Sequence, residues 1–436
     1  MKTAGRVVYI AETASDGSCR GMFRPMEVAV QLAQEGWDVT ILAATASNQW
    51  PGRLPAGAGR FRNVKFVRLG TPFPQPNGVK RAANMIIFAL KAGAFLFRRR
   101  AELRPAIVVT ASTGFLDIFP AFLAALTGGY QWIFEVRDVW PDSPRQLNPK
   151  LRTYGLLQMA SFALKLAFRF AHGMMSTLPE SGKLLRERGR RKEMDLLLVP
   201  NCARLNTVPG GTIPQVSTAS EAAEGLARLR SRFAQVVGYY GSFNSGNGTL
   251  RLLQLAQSPA MAGVGFLFVG EGGDAAEVRI FASAHDNIRI APPVDPAECA
   301  LLMRDTDVLL IGLPWIPALR YGLSPIKYAD YLLAGRPLFC WGASLGAEED
   351  THGHMVSAPY TEATESAAAS LREMLSRGPA QLDEMGKKAR ERARSHYTYD
   401  AYRQRIATFF SRRFNPEGPA QVTLAKDPKS GLIPWQ

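Results

Sequence analysis

Short apolar runs recur along the chain and alternate with stretches in which apolar residues return at helical spacing. In the first half the runs are Val7–Ile10, Val39–Ala43, Val64–Leu69, Ile107–Thr110 and Trp132–Val136, with a helix-like stretch at Met26–Gly36. Alternation of strand and helix predicts a parallel sheet. The pattern resumes after Phe233 with Val236–Tyr240, Gly265–Val269, Ile288–Ile290, Val308–Ile311 and Pro337–Cys340, and a helix around Thr249–Ala256. The expected fold class is therefore α/β, with a second parallel-sheet unit following the first.

Asn201 to Glu224 is rich in Pro, Gly, Ser and Thr and poor in large apolar residues, which is the composition of a linker between domains. At 436 residues the chain is also too long for one ordinary core. The expected division is a Rossmann-like domain over 1–204, a linker over 205–230 and a second Rossmann-like domain over 231–380. Charged helices over 381–413, with the option of crossing back to the first domain, and a loose tail over 414–436 complete it. Two lobes imply a cleft between them.

The 52 Lys and Arg against 37 Asp and Glu leave a net charge of +15, which favours an anionic partner. Aromatic residues do not interleave with the basic ones as single-strand binding requires, so no nucleic-acid partner is expected. Cys19, Cys202, Cys299 and Cys340 are far apart, without the spacing of a zinc site, and read as reduced thiols. The first apolar run, Val7–Ile10, is too short for a signal peptide, so the chain is expected in the cytoplasm.

No segment reaches the roughly 18 uninterrupted apolar residues that a spanning helix needs. Asn84–Phe97 is interrupted by Lys91, and Tyr154–Met175 by Lys165 and Arg169. With Arg98, Arg99, Arg100, Arg186, Arg188, Arg190, Arg191 and Lys192 they suggest a basic, partly apolar surface. Such a surface would lie peripherally on an anionic membrane, at its inner face. The alternative is that both stretches are core helices.

Chemistry-bearing residues cluster where strands end. Between the first run and the helix near Pro25 lies a small-residue loop containing Asp16, Gly17 and Arg24, placed where open α/β sheets bind ligands. Glu135 through Ser143 gathers acids, Arg137 and Trp140, and Asp138 there suits a base or an ion-pair partner. Gly241 and Ser242 open a glycine-rich loop after one second-half strand, and Gly270 and Glu271 follow the next. Small residues before a helix let backbone N–H groups approach a phosphate. Finally, Ser324, Lys327 and Asp330 lie at the start of a helix that ends at Gly335. They suit a diphosphate and a ribose, or an i,i+3 salt bridge between Lys327 and Asp330.

From about residue 6 to 410 the sequence resembles the GT-B glycosyltransferases, in particular the large retaining family of bacterial exopolysaccharide and O-antigen sugar transferases. The resemblance rests on Arg137-Asp138-Val139-Trp140-Pro141, Val199-Pro200-Asn201, Gly270-Glu271-Gly272 and Ser324 through Pro337. The family's paired acids, eight positions apart, match at Asp330 but not at Gly322. The Ser-x-x-Lys arrangement is also similar to the xanthan-type glucuronosyltransferases, where such a lysine faces the donor phosphates and a first-domain Asp is the base.

The resemblance implies two Rossmann-like domains facing a cleft, a nucleotide-diphosphate sugar donor in the second, and a lipid-linked or saccharide acceptor from the first. Donor contacts would come from Gly241, Ser242, Gly270, Glu271, Ser324, Lys327 and Asp330, with Asp138 and Lys327 catalytic and Asp16, Gly17 and Arg24 near the acceptor. No metal or other cofactor is called for. One affinity implies retention of anomeric configuration and the other inversion, and both stay open. A nucleotide-sugar epimerase, or a non-enzymatic membrane- or nucleic-acid-binding module, are the alternatives.

Overall fold

The structure is a computed structural model and describes residues 4–15, 21–50, 52–74, 76–104, 106–127, 129–147, 155–189, 194–203, 220–345, 349 and 351–414. The chain divides into two compact units: residues 1–200 with the segment from Tyr402, and Asn201–Ala401.

The first unit is built on an eight-stranded sheet of order β3-β4-β2-β1-β5-β6-β7-β8. Its strands are β1 (Arg6–Ile10), β2 (Asp38–Ala44), β3 (Gly57–Phe61), β4 (Val64–Leu69), β5 (Ala106–Ala111), β6 (Tyr130–Val136), β7 (Gly173–Ser176) and β8 (Leu196–Leu198). Neighbours are parallel except the β3–β4 hairpin. The helices are α1 (Arg24–Gln34), α2 (Gly78–Arg98), α3 (Arg100–Leu103), α4 (Ile118–Leu126), α5 (Asp142–Leu147), α6 (Gly155–Phe170) and α7 (Ser181–Glu187).

The second unit carries a six-stranded, all-parallel sheet of order β11-β10-β9-β12-β13-β14. The strands are β9 (Gln235–Tyr240), β10 (Val264–Val269), β11 (Ile288–Ala291), β12 (Val308–Leu313), β13 (Leu338–Gly342) and β14 (Met355–Pro359). Around them lie α8 (Glu221–Arg230), α9 (Thr249–Gln257), α10 (Ala275–Ser283), α11 (Pro296–Arg304), α12 (Ile326–Ala334), α13 (Thr364–Ser376) and α14 (Gly378–His396), and the last helix, α15 (Tyr399–Phe414), belongs from Tyr402 onward to the first unit. In both sheets the strand order reverses beside the unit's first strand, at β1/β5 and at β9/β12. Such switch points leave a crevice at the carboxyl ends of the strands.

Every apolar run of the sequence pattern falls on a strand, because a parallel strand covered by helices on both faces needs apolar residues on both. The stretch read as a linker, 205–230, lies outside the described residues as far as 219, and its remainder is α8, capped by Ser220 Oγ on the Ala223 N–H at 3.1 Å. The C-terminal charged region forms α14 and α15. Helix α15 packs on the first unit: Trp37 meets Phe410 and Phe414 edge to face at 6.1 and 5.5 Å, and Arg403 donates to Gln31 Oε1 at 2.9 Å. Residues 415–436 lie outside the described residues.

The stretches Asn84–Phe97 and Tyr154–Met175 correspond to α2, and to α6 followed by β7. Each helix has a core face, with Phe88, Ala92 and Leu96 buried on α2 and Ala160, Leu164 and Phe168 on α6. Each also has an apolar outer face, with Leu90 and Phe97 exposed on α2 and Phe162 and Phe170 on α6. Helix α4 packs between them, with Phe119 stacked on Phe162 and Phe122 tilted against Phe170. No helix among the described residues is long and apolar enough to cross a membrane.

Candidate functional site

In the first unit the chemistry gathers where β1, β5 and β6 end. Glu135, fully buried near the end of β6, is a carboxylate inside an apolar strand and must find charge partners there. It accepts from Arg24 Nε at 2.7 Å, Arg137 Nε at 2.6 Å and the Tyr9 hydroxyl at 2.5 Å. Burial alone would push this carboxyl up, but Arg137, Arg24 and the Tyr9 hydroxyl outweigh it and hold the group down at about 2. Arg24 spends its remaining donors on the carbonyls of Val199 and Pro200, at 2.7 Å each. Arg24, the first residue of α1, is thus a buried tie between α1, β6 and the Val199-Pro200 segment, and neither a surface charge nor a loop residue.

The tie sets the turn after β6. The Arg137 N–H donates to Ser112 Oγ at 3.0 Å, and Thr177 Oγ1 donates to the Arg137 carbonyl at 2.9 Å. Asp138 follows with its side chain open to solvent, while Trp140 stacks on Phe115 at 5.9 Å and does not cover it. Protein atoms still crowd the carboxyl, and that desolvation raises it from its ordinary value, with Arg137 opposing. An accessible carboxyl shifted upward can accept a proton from a hydroxyl. Asp16 and Gly17 lie outside the described residues.

A second carboxyl pair was not read from the sequence. Glu12 follows β1, and Asp117 lies in the 3-10 turn (Ser112–Asp117) after the neighbouring strand β5. Burial raises Glu12 to about 7, with Arg81 opposing, and burial and the Glu12 charge raise Asp117. The signal was slight: isolated acids just beyond adjacent apolar runs.

In the second unit the constellation centres on Lys327, second residue of α12. Its ammonium donates to Asn247 Oδ1 at 2.8 Å and to the Tyr239 hydroxyl at 3.0 Å, and lies 4.6 Å from the centre of the Tyr239 ring. No carboxylate among the described residues pairs with it, so the expected alternative of a Lys327–Asp330 salt bridge is not formed. Burial lowers the ammonium to about 7. Gly241 is the close approach that makes room: a Cβ there would stand 3.2 Å from Lys327 Nζ. The Ser242 side chain is exposed, and its carbonyl accepts from the Tyr239 hydroxyl at 2.8 Å and Asn247 Nδ2 at 3.0 Å. Gly248, left-handed at φ 59°, then turns the chain into α9.

Helices α9 and α12 therefore start on either side of one ammonium, at the β9/β12 switch point. Free N–H groups and the positive ends of two helix dipoles accompany the cation, which is the field an anion seeks. Gly335, left-handed at φ 72°, closes α12 at its far end.

The other expected donor residues have local partners. Ser324 Oγ accepts from the Asn201 N–H at 2.7 Å, and Asn201 Nδ2 donates to the Ser324 carbonyl at 2.6 Å. Asn201 thus anchors the segment before α12. Gly270 is required by packing, since a Cβ would fall 1.9 Å from the Gly241 carbonyl oxygen. Glu271 pairs with Arg279 at 2.5 Å. Asp330 is half-buried on α12.

Sequence reasoning missed Tyr239 and Asn247 as partners of Lys327. The period of two along β9, which places Tyr239 and Gly241 on one face, was the available signal. It also passed over Asp305-Thr306-Asp307, which precedes β12 at the opposite end of the sheet. There Asp307 Oδ2 accepts from the Val236 N–H at 2.7 Å and from Arg230 Nη1 at 2.6 Å.

Residues 24–202 match the model of the glycosyl transferase 4-like domain. No curated protein matches the sequence significantly. Among solved structures, the chain is similar to sucrose-phosphate synthase from Thermosynechococcus elongatus at 15% identity and a TM-score of 0.70, covering 94% of this chain and 100% of that one. It is similar to WaaG, a glycosyltransferase involved in lipopolysaccharide biosynthesis, at 14% identity and a TM-score of 0.63, covering 92% and 99%. Anabaena HepE in complex with UDP-glucose gives 14% identity and a TM-score of 0.61, covering 93% and 99%. The fold is that of the GT-B glycosyltransferases.

Proposed function

We propose that this chain, a glycosyltransferase by its domain match and fold, moves a sugar from a nucleoside-diphosphate sugar to a lipid-linked saccharide of cell-surface polysaccharide synthesis, at an anionic membrane surface. The observation that carries the donor half is the Lys327 ammonium, without a carboxylate partner among the described residues, between the N-termini of α9 and α12. A departing diphosphate needs that cation and those N–H groups to take up its charge. Asp330 on the same helix is assigned to the ribose. UDP-glucose, which HepE binds, makes UDP-sugars the first donors to test.

Asp138 is assigned to the acceptor hydroxyl. Asp138→Asn is expected to lower kcat by about 10²–10⁴-fold, the usual worth of general acid–base catalysis, with unfolding unchanged. Full kcat in the folded variant returns Asp138 to a structural role.

Membrane docking rests on α2, α4 and α6. Leu90, Phe97, Leu126 and Phe162 are 69%, 64%, 62% and 56% exposed, and Lys91, Arg98, Arg99, Arg100, Lys165 and Arg169 are exposed on the same helices or just beyond. Apolar side chains enter the headgroup boundary while each basic residue adds roughly 1 kcal/mol near acidic lipid. Arg190, Arg191 and Lys192 lie outside the described residues. Co-sedimentation should show binding to acidic vesicles at low salt that weakens in neutral vesicles and at high salt. Absence from acidic vesicles defeats the docking.

The deciding experiment is a donor screen that follows nucleoside-diphosphate release with a lipid-diphosphate-sugar acceptor present. Release is expected only with donor and acceptor together. An altered donor sugar without any acceptor points to the epimerase alternative, and no turnover of any donor defeats the reading.

A further inference from the structure

The first unit has a recess at the end of its sheet opposite Glu135 and Asp138, where β1, β2 and β4 begin. The β3–β4 hairpin, the C-terminal end of α2, and α3 wall it, and its volume is about 410 Å³. Six charged residues line it: Arg6, Asp38, Arg60, Lys65, Arg99 and Glu102.

The two acids are already matched. Lys65 Nζ donates to Asp38 Oδ2 at 3.2 Å, and Arg99 grips Glu102 through Nε and Nη2 at 2.9 Å each. The Arg6 and Arg60 side chains have no hydrogen-bond or ion-pair partner among the described residues. The lining therefore carries two cations in excess around a concavity, an arrangement that repels itself until an anion enters. Small residues, Ala58 and Gly59, leave the hairpin wall low beside Arg60.

We propose that this recess is a second ligand site, for a phosphate ester, held by Arg6 and Arg60. Two guanidinium groups offer paired N–H donors that match phosphate oxygens, and a phosphate monoester near its second ionisation balances both charges where a carboxylate balances one. The site goes beyond the transferase reading, since it lies at the end of the sheet away from the strand carboxyl ends and uses none of the residues assigned to donor or acceptor. Its ligand is either a lipid headgroup, reached beside the exposed Phe97 and Arg98 of α2, or a free phosphorylated metabolite.

The test uses the full chain, calorimetric titration with glycerol 3-phosphate, and co-sedimentation with phosphatidylcholine vesicles with and without phosphatidic acid. Wild type should bind at least one of the two phosphate probes, and saturating UDP should not displace the soluble one. Arg6→Ala/Arg60→Ala should weaken that binding by about tenfold or more, the loss expected for charged hydrogen bonds. Arg60→Glu alone, on the exposed hairpin, should do the same should the double variant fail to fold. Binding of the vesicles alone identifies a headgroup site, and binding of glycerol 3-phosphate in solution identifies a metabolite site. Displacement by UDP, equal binding by wild type and Arg60→Glu, or no binding of either probe overturns the proposal.

Discussion

Lys327→Ala is expected to lower kcat by about 10²–10³-fold while the protein stays folded, because the variant removes the cation that would neutralise a departing diphosphate. No carboxylate among the described residues satisfies the ammonium, so its loss strands no counter-charge there. Its contacts, Asn247 Oδ1 and the Tyr239 hydroxyl, are neutral. The same burial that lowers this ammonium to about 7 adds a pH signature. A bound diphosphate favours the charged form and raises the group again, so donor binding takes up a proton above that pH. Donor affinity should therefore fall as pH rises beyond about 7, and Lys327→Arg, whose guanidinium does not titrate there, should flatten the profile. Donor binding measured by calorimetry across this range checks both parts. A flat wild-type profile with near-normal turnover of Lys327→Ala removes this side chain from the donor site.

Glu135→Gln should produce the largest loss of stability, about 3–5 kcal/mol, because it strands two buried guanidinium groups against a neutral amide. Arg24 is 5% exposed, Arg137 is 9% exposed, and both converge on this carboxylate. Urea unfolding should show a lower midpoint with an unchanged slope. The pH dependence has a definite sign. The folded carboxyl sits near 2 against an ordinary 4.5, so its contribution is complete above about 4.5 and fades as pH falls toward 2. The variant should lack that component of acid sensitivity. A loss within about 1 kcal/mol, typical of an ordinary substitution, would show that the cluster does not hold the unit together.

Both predictions depend on contacts that no local pattern contains. Tyr9, Arg24 and Glu135 meet across 111 and 126 residues of chain, and Lys327 reaches Tyr239 across 88. Glu135 within Trp-Ile-Phe-Glu-Val advertised only that a buried acid must find a cation, without saying which. Edge elements were equally silent. The fully exposed β3, Gly-Ala-Gly-Arg-Phe, has no burial pattern to read, and the four residues of β7 merge into the apolar stretch that began as α6.

What the sequence determined by itself was the alternation of buried strands and helices, the switch from one α/β unit to a second, and Gly335 as the end of α12. Those follow from burial and from backbone freedom, both of which act residue by residue. Only the tertiary structure decided that Arg24 is a buried tie, that Asp138 stands open to solvent, and that Gly270 serves the packing of one loop on another. It also decided that Lys327 turns from Asp330 toward Tyr239 and Asn247. A side chain's partner depends on which strand ends the sheet order brings side by side, and in a doubly wound sheet that order is set by long-range crossovers rather than by neighbours in the chain.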